Sequence, residues 1–547
     1  MYPANETYFR FYYKDVKMAD KPDYVLNFQK PANTEIKKIG DHYYLYARKS
    51  VYDPRTRKMR KKSGKVLGKI TAGGFVESST RKAERGPGQD AVVDWDKVVN
   101  VEFGASCYLY DTNRDVTDRL REHFPSLWRE LFAMAVARCL GENAFRRFDT
   151  DYLTSILPHY LGDDLDLDVA RNAKRGMIDR IGSMRGAMAD YMREDLSAGD
   201  RLILIDGHRV ISVSDSLADA QLGYDSRGRN STQVNVLYLY SLSESEGMPA
   251  FYKEFAGSIP DCTALPMLLE ETNLDAKFLT AVTDKGFSSD RDFKAVTDAG
   301  MHYILAVRRG CREVEVPEGP SGYSDIFTFR SRSVYHKSFE KESCIYHLYY
   351  DMELANAETT DLVLRSQKRN AAAEHRIESE DAKRRDKKKP RLADVELEAL
   401  RNSVTTPLDD VSDRKSIGTF ILCTDRKELS ALDVYEIYKR RQEIEQSFKG
   451  YDDTLGCTAS YMRSHEGMEC WLFINHLALQ LEYRILNRIA ASGLTSKYSF
   501  RDAVKFLTSI RANKIGNRWH VCTVTGKTRK FCEDIGFKYP LVMGNEP

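Results

Sequence analysis

The sequence lacks three features that would place the chain in a membrane, outside the cell or among zinc-binding modules. It has no run of about 18 apolar residues, the length that a membrane-spanning helix requires. Its first residues, MYPANETYFRFYYKD, lack the apolar stretch of a secretory signal. The ten cysteines include no Cys-x-x-Cys pair, so their spacing does not favour a structural zinc site. We therefore expect a cytoplasmic protein with reduced cysteines and no membrane partner.

A large excess of positive charge is also missing, because 83 lysine and arginine residues face 81 aspartate and glutamate residues, a net charge of +2. This balance argues against a simple basic DNA-coating protein but allows local basic patches. One patch spans residues 48–69, where ten lysine or arginine residues accompany a single acid, Asp53. Alternating apolar and polar residues on both sides predict a β-hairpin, which either contacts phosphates or is solvated. The candidates for phosphate contact near its tip are Arg57, Lys58, Arg60, Lys61 and Lys62.

Changes of pattern divide the chain into segments, and its length suggests roughly three or four domains of about 150 residues each. A β-rich basic region is expected first, followed by a helical region and then by an α/β core that an insertion splits in two. The predicted boundaries are 1–95 for the basic region, 96–199 for the helical region, 200–310 and 417–490 for the core, 311–416 for the insertion and 491–547 for the C-terminal region.

The first part of the core carries strand and helix patterns in the order β-β-β-α-β-α-β. Its first strand, RLILIDGHRVISVSD, is rich in isoleucine, leucine and valine. The order predicts an α/β fold, with a mixed sheet and helices packed on it. The insertion combines a β-hairpin with a charged segment that is either helical or partly disordered. Its basic run at 383–391, KRRDKKKPR, is left open between DNA contact and solvated charge. Beyond the insertion, a helix capped by Ser430 is expected up to residue 451.

Three acidic residues stand out because of where the pattern places them. Asp206 lies in an apolar strand, and Asp284 ends another, FLTAVTD. Such acids are costly to bury unless they are paired or bound to a cation, although Asp284 alone could be a helix N-cap. Glu445 shares one helical face with Tyr438 and Arg441, at offsets of three and four residues. Three carboxylates from two strands and a helix can hold two divalent metal ions for phosphodiester chemistry, and Mg²⁺ suits oxygen ligands of this kind.

Taken in order, these segments resemble the DDE transposases of bacterial insertion sequences. More narrowly, the chain is similar to the branch with a β-rich insertion before the catalytic Glu and a Tyr-x2-Arg-x3-Glu-x6-Lys (YREK) signature. The resemblance covers residues 200–310 and 418–490 and is more general in the N-terminal half. The matching segments are LILIDGH, GYDSRGRNSTQVNVLYLYSLSESEGMPAFYKEFAGSIPDCTAL, TDKGF, YKRRQEIEQSF and YMRSHEGMECWLFINHLALQL. The resemblance implies an RNase H-like mixed β-sheet core with flanking helices.

The resemblance also implies roles for single residues. Asp206, Asp284 and Glu445 would be the catalytic metal ligands, whereas Tyr438 and Arg441 would hold the DNA end near the scissile phosphate.

Two positions depart from the family pattern. The signature Lys falls on Asp452, and Lys449, one turn earlier, could reach the same phosphate. His208 stands where the family usually has a hydroxyl residue, and it shares a strand face with Asp206, so it is expected to pack behind the site, modulate it or contact DNA.

The implied function is transposition. The enzyme would bind the terminal inverted repeats of an insertion sequence, cleave the DNA strand with the help of two Mg²⁺ ions, for which Mn²⁺ could substitute, and transfer the 3′ end to target DNA. The resemblance implies a homodimer in the DNA-bound complex, with the helical region serving DNA-end binding or dimerisation, and a cytoplasmic, nucleoid-associated location.

Other functions compete with this interpretation. A metal-dependent DNA nuclease without strand transfer would use the same two-metal site. A catalytically decayed DNA-binding repressor is disfavoured by the three acids, although Asp452 leaves it some room. Paired carboxylates also serve glycosidases, but Arg441 beside Glu445 and the lack of an aromatic-rich pattern near the two aspartates disfavour that chemistry.

Overall fold

The structure is a computed structural model that describes most of the chain. Two compact units divide it, Met1–Val93 and Asp94–Pro547. The described residues are 21–53, 58–77, 98–141, 147–167, 172–196, 201–224, 230–243, 246–273, 279–287, 289–311, 314–317, 319–385, 392–412, 416–445 and 455–544.

The first unit contains a four-stranded antiparallel sheet in the order β1-β2-β3-β4. Its elements are α1 (Asp23–Leu26), β1 (Thr34–Ile39), β2 (His42–Asp53), β3 (Lys58–Thr71) and β4 (Gly74–Glu77). Tyr43 and Leu45, two residues apart on β2, are buried with Val25 and Ile70, which gives the sheet a small apolar core on one face. The basic segment for which we predicted a hairpin forms β2 and β3, whose pairing runs from Tyr43 opposite Ile70 to Asp53 opposite Lys58.

The second unit is a mixed α/β structure around a large sheet. The sheet order is β12-β13-β14-β15-β11-β10-β6-β8-β7, with β9 also paired to β8 and β16 to β6. The strands are β5 (Val99–Glu102), β6 (Arg201–Ser212), β7 (Gln221–Tyr224), β8 (Asn230–Leu242), β9 (Gly247–Ala256), β10 (Leu279–Thr283), β11 (His302–Val307), β12 (Asp325–Phe329), β13 (Arg332–Lys341), β14 (Cys344–Asp351), β15 (Thr419–Thr424), β16 (Ala459–Ser460), β17 (Arg511–Ile515), β18 (Arg518–Val521) and β19 (Val542–Met543).

Helices lie before, within and after this sheet along the chain. Those of the second unit are α2 (Gly104–Thr112), α3 (Arg114–His123), α4 (Trp128–Leu140), α5 (Phe148–Leu153), α6 (Leu157–Leu161), α7 (Asn172–Gly182), α8 (Arg185–Arg193), α9 (Asp261–Thr272), α10 (Asp290–Asp298), α11 (Met352–Arg385), α12 (Asp394–Asn402), α13 (Pro407–Ser412), α14 (Ala431–Lys439), α15 (His465–Ala491), α16 (Phe500–Thr508) and α17 (Gly526–Asp534). The apolar helix α15 is largely buried and packs against β9, α4 and α7. None of the helices within the described ranges combines the length and apolar character that a membrane crossing needs.

The first part of the predicted core follows the predicted order of strands and helices, with the short strand β7 added. β10 pairs in parallel with both β6 and β11, and α10 connects β10 to β11, whereas β8 pairs antiparallel with β6 and β9. The sheet is therefore mixed, as the sequence predicted.

The predicted insertion contributes strands to the same sheet. The expected hairpin forms β13 and β14, with β12 added at the edge, and β14 pairs with β15 of the core. The charged segment is helical up to Arg385, as part of α11. Within the basic run at 383–391, Lys383 lies 2.6 Å from Glu380 and Arg384 lies 2.6 Å from Asp394, so acids of the chain already neutralise these two cations.

A second, smaller sheet joins distant parts of the sequence. β5, from the start of the predicted helical region, pairs with β17 of the C-terminal region, and β18 and β19 complete the sheet. This connection was not predicted from the sequence.

Candidate active site

Two neighbouring parallel strands place Asp206 and Asp284 side by side. Ile205 on β6 lies opposite Thr283 on β10, so the next residue of each strand is an aspartate. Adjacent strands are about 4.8 Å apart, so the two carboxylates lie at neighbouring positions where β10 ends. Both side chains are partly exposed, which leaves them accessible to a ligand.

Local backbone groups orient these carboxylates. The Gly207 amide donates a hydrogen bond of 2.9 Å to Asp206 Oδ1, and the Lys285 amide donates one of 2.6 Å to Asp284 Oδ1. Burial raises the pKa of Asp206 to about 6, although the Gly207 amide and Arg441 act in the opposite direction. A cation at this position would therefore favour the charged form of a carboxylate, which burial disfavours.

A network on the other side of β6 involves Asp261, a residue that no sequence pattern singled out as functional. Asp261 begins α9, and its Oδ1 lies 2.9 Å from both Arg209 Nη2 and Asn235 Nδ2. A Cβ at Gly207 would lie 2.6 Å from the Asp261 carboxylate, so a larger residue there would displace the Asp261 side chain. The available signal was Pro260-Asp261 ahead of a helical pattern, which is typical of a helix start. Asp261 thus fixes the strand that carries Asp206.

The helix that was expected to carry Glu445 without interruption is broken. α14 begins as predicted with Ser430, whose hydroxyl accepts a hydrogen bond from the Asp433 amide, but it ends at Lys439. Arg440 and Arg441 form a turn, and the chain is helical again at 442–445. The Arg441 amide donates to the Tyr438 carbonyl over 3.0 Å, three residues back, and this tighter winding interrupts the α-helix. The prediction of one continuous helix was therefore wrong at these two residues.

Arg441 brings the predicted acids together. Its Nη2 lies 2.9 Å from Glu445 Oε1, and its Nη1 lies 3.9 Å from both Asp206 Oδ2 and Asp284 Oδ2. The arginine side chain is only 18% exposed, and its Cζ lies 5.8 Å from the centre of the Tyr438 ring. Burial opposes the charge of Arg441, but Tyr438 and the three carboxylates outweigh it and raise the pKa of the guanidinium. The predicted stripe Tyr438–Arg441–Glu445 thus meets the two aspartates despite the broken helix.

The remaining predicted site residues fall in several places. His208 is buried on β6, two residues beyond Asp206. Lys449 and Asp452 lie outside the described residues, as does Arg57. The other predicted DNA contacts of the first unit, which lie on β3, are Lys58, Arg60, Lys61 and Lys62.

Comparison with known families gives a clear result. A family model described as the transposase DDE domain matches residues 197–481, more than half of the chain. The chain belongs to the DDE transposase family. The match includes Asp206, Asp284, Arg441 and Glu445, and it confirms the predicted DDE transposase enzyme. A search of curated proteins finds no match.

The carboxylates of this DDE transposase domain are suitable for the divalent metal ions that the family generally uses. All three are oxygen donors, and Arg441 shows that the group already attracts a cation. The residues present therefore fit the cofactor class that the sequence predicted, and the family implies DNA as the partner.

Proposed function

We propose that the chain is the transposase of a bacterial insertion sequence, of the branch with the YREK signature. It would bind the terminal inverted repeats of its element and catalyse metal-dependent cleavage and strand transfer. The observation that carries this proposal is the position of Arg441, within 3.9 Å of Asp206 and Asp284 and 2.9 Å from Glu445. A cationic side chain among three converging carboxylates fits a site where metal ions and phosphate oxygens meet.

The arrangement of the central strands supports an RNase H-like core. The order β9-β8-β6-β10-β11 has three parallel strands, β6, β10 and β11, next to the antiparallel strand β8. Asp206 comes from the central strand of this group, Asp284 from its parallel neighbour and Glu445 from a later helix. Residues 311–416 would be the insertion before the catalytic Glu. We propose the boundaries of all six segments as they were predicted from the sequence.

The proposed mechanism assigns a task to each side chain. Two Mg²⁺ ions, or Mn²⁺ in their place, would supply Lewis-acid stabilisation of the charge that develops on the phosphodiester. Asp206, Asp284 and Glu445 would hold the ions through carboxylate oxygens. Arg441, released from these carboxylates, would donate two parallel hydrogen bonds to a phosphate of the DNA end, with Tyr438 beside it. His208 would support Asp206 from the same strand face.

Two steps of the same kind would follow one another. In the first, a water oxygen attacks phosphorus at the end of the element, and the bond from phosphorus to the 3′ oxygen breaks to leave a 3′-OH. In the second, that 3′-OH attacks a phosphate of the target DNA and displaces the target's 3′ oxygen. Lys449 would contact a phosphate in place of the signature Lys. Because both ends of the element must be joined, we propose a homodimer in the DNA-bound, nucleoid-associated complex.

The decisive experiment compares variants on a labelled DNA fragment with the ends of the element and Mg²⁺. We expect Asp206→Ala, Asp284→Ala and Glu445→Ala to lose cleavage, because each removes one proposed metal ligand. Glu443→Ala is the matched control for Glu445→Ala: it removes a carboxylate two residues away that pairs with Arg440 instead.

The products of the same reaction separate the competing functions. Cleaved DNA joined to target DNA would support the transposase, whereas cleavage without joined products would identify a plain nuclease. DNA binding by the wild-type chain without cleavage would indicate a decayed enzyme. Persistence of cleavage in all three alanine variants would sink the site assignment.

We further propose that the β2–β3 hairpin contacts DNA phosphates through Arg57, Lys58, Arg60, Lys61 and Lys62. The last four of these residues lie on β3, so the basic run has an extended backbone.

This contact predicts a change in salt dependence. Lys61→Gln/Lys62→Gln should weaken end binding and reduce the slope of log affinity against log salt by about 0.9 for each phosphate that the variant no longer neutralises. Lys37→Gln/Lys38→Gln, on β1 of the same sheet, is the matched control and should leave the slope closer to that of the wild type. Binding curves at several salt concentrations measure the slopes, and an unchanged slope in Lys61→Gln/Lys62→Gln would contradict the assignment.

A further inference from the structure

A second group of metal-ligating side chains lies away from Arg441. His465 Nδ1 lies 3.3 Å from Asp219 Oδ2 and 4.0 Å from Glu254 Oε2, and one ligand atom from each residue lies within 4.8 Å of the other two. The three residues come from the loop between β6 and β7, from β9 and from the first residue of α15. Neither the family resemblance nor the proposed reaction uses this group.

Glu254 is the unusual member of the group. Its side chain is only 2% exposed, and neither carboxylate oxygen has a hydrogen-bond partner among the residues that the structure describes. A buried carboxylate without a partner is costly, so it becomes neutral or binds a cation. Burial, followed by the nearby acids Glu469 and Asp219, raises the pKa of Glu254 to about 9. The carboxylate of Glu254 therefore lies close to two other acids, Glu469 and Asp219.

The cations of the surroundings are engaged by other acids. Arg185 lies 2.7 Å from Glu271 and 3.4 Å from Glu469, and Lys253 also pairs with Glu271. The ion pairs of these two cations are therefore with Glu271 and Glu469, although the charge of Arg185 also opposes the rise in the pKa of Glu254. Asp219 and Glu254 face His465 instead, whose imidazole is a metal ligand when it is neutral.

We propose that Asp219, Glu254 and His465 bind a divalent metal ion of the zinc class, at a site separate from the three carboxylates around Arg441. An imidazole with two carboxylates is a ligand set that zinc accepts, and a water would complete four-coordination. Bonds of about 2.0 Å in a tetrahedron put ligand atoms about 3.3 Å apart, close to the separation between His465 and Asp219. The other separations need a small closure. Asp219 lies in a loop and His465 is 59% exposed, so both can move toward Glu254.

The position of the site suggests what the ion does. His208 on β6, Val236 on β8 and Glu254 on β9 form one row across the sheet, two residues along from the row that contains Asp206. The bound ion would join β9 and the loop to the first turn of α15, the helix that covers these strands. It would therefore stabilise the sheet that carries the catalytic aspartate, without entering the reaction.

The test uses the full-length chain with the substitutions Asp206→Asn and Asp284→Asn. These remove two ligands of the proposed catalytic site, so that zinc binding there does not contribute to the signal. We expect metal-free protein to bind one Zn²⁺ per chain in calorimetric titration and to unfold at a higher temperature with Zn²⁺. Adding Glu254→Gln or His465→Gln should abolish both effects. His302→Gln is the matched control, because it removes another partly exposed imidazole, one that lies 2.8 Å from the single carboxylate of Asp425. This control should retain both effects.

The controls also separate loss of binding from loss of folding. Without metal, Glu254→Gln should unfold at or above the temperature of its parent, because a neutral amide replaces the buried acid. His465→Gln alters an exposed side chain and keeps the fold. X-ray absorption at the zinc edge should show nitrogen and oxygen ligands. Sulfur ligands, undiminished zinc binding by Glu254→Gln, or no zinc binding by the parent would each overturn the proposal.

Discussion

Two clusters of acidic residues lie at the central sheet, and their negative charge is balanced in different ways. Around Asp206, Asp284 and Glu445, the chain provides its own cation, Arg441. Around Asp219 and Glu254, no guanidinium among the described residues forms an ion pair with either acid, and Glu254 is more deeply buried than any acid of the first group. The first group can therefore exchange an internal cation for metal ions, whereas the second depends on a proton or an ion from solution.

The functions that we propose for the two groups account for this difference. At the proposed catalytic site, DNA and metal ions would enter and leave, and Arg441 would balance the charge of the carboxylates before they arrive. The proposed zinc site, which would only join β9 to α15, would have no need for such exchange. Nearby acids on one sheet therefore do not imply one shared function.

The largest expected effect comes from removing Arg441, the cation that distinguishes the first group from the second. In Arg441→Gln, we expect DNA cleavage to fall by roughly 10²-fold, since a donor aimed at a phosphate is removed. Without metal, the three acids would repel one another, and the free energy of unfolding should fall by about 1 kcal/mol, a modest loss because the acids are partly exposed. Mg²⁺ should then raise the unfolding temperature of Arg441→Gln more than that of the wild type. Cleavage assays and thermal unfolding with Mg²⁺ or a chelator measure both effects.

Arg440→Gln is the matched control for this experiment. Arg440 adjoins Arg441, but its guanidinium contacts Glu443 and the Ser243 carbonyl instead of the aspartates. Its substitution should leave the effect of Mg²⁺ on the unfolding temperature unchanged. Equal Mg²⁺ effects in Arg441→Gln and the wild type would show that the guanidinium does not occupy the metal position.

The cluster around Arg441 could be predicted from the sequence because its residues belong to recognisable local patterns. Asp206 and Asp284 follow apolar strand residues, and helical spacing links Arg441 to Glu445. The break at Arg440 could not be predicted, since it accompanies a tertiary contact to Ser243, in a distant loop. Local periodicity contains no information about such a partner.

The second group has no local signature. Asp219, Glu254 and His465 are far apart in sequence and lie on a loop, a strand and a helix start, so no single period connects them. The same limit applies to sheet partners. Alternation predicted the strands of the insertion, but only the three-dimensional structure pairs β14 with β15 and β5 with β17.

The smallest expected effect concerns the two histidines of α15, His465 and His476, which differ in burial. His476 is fully buried, and its Nδ1 lies within hydrogen-bond distance, 2.6 Å, of the hydroxyl of Tyr238, which is on the strand next to the one that carries Asp206. Burial, followed by Arg119 and Arg185, lowers the pKa of His476 to about 3. His465 lies exposed at the helix start.

The pH dependence of stability should separate these histidines. Between pH 6.5 and pH 3 the unfolded chain protonates His476 and the folded chain does not, so its contribution to stability is complete above pH 6.5 and is lost as the pH falls. The slope is up to about 1.4 kcal/mol per pH unit. His476→Gln, which keeps a hydrogen-bonding group for Tyr238, should flatten this acid limb in urea unfolding at pH 7 and pH 5. Metal-free His465→Gln should retain this acid limb, and an equal flattening in both variants would mean that burial does not distinguish the two histidines.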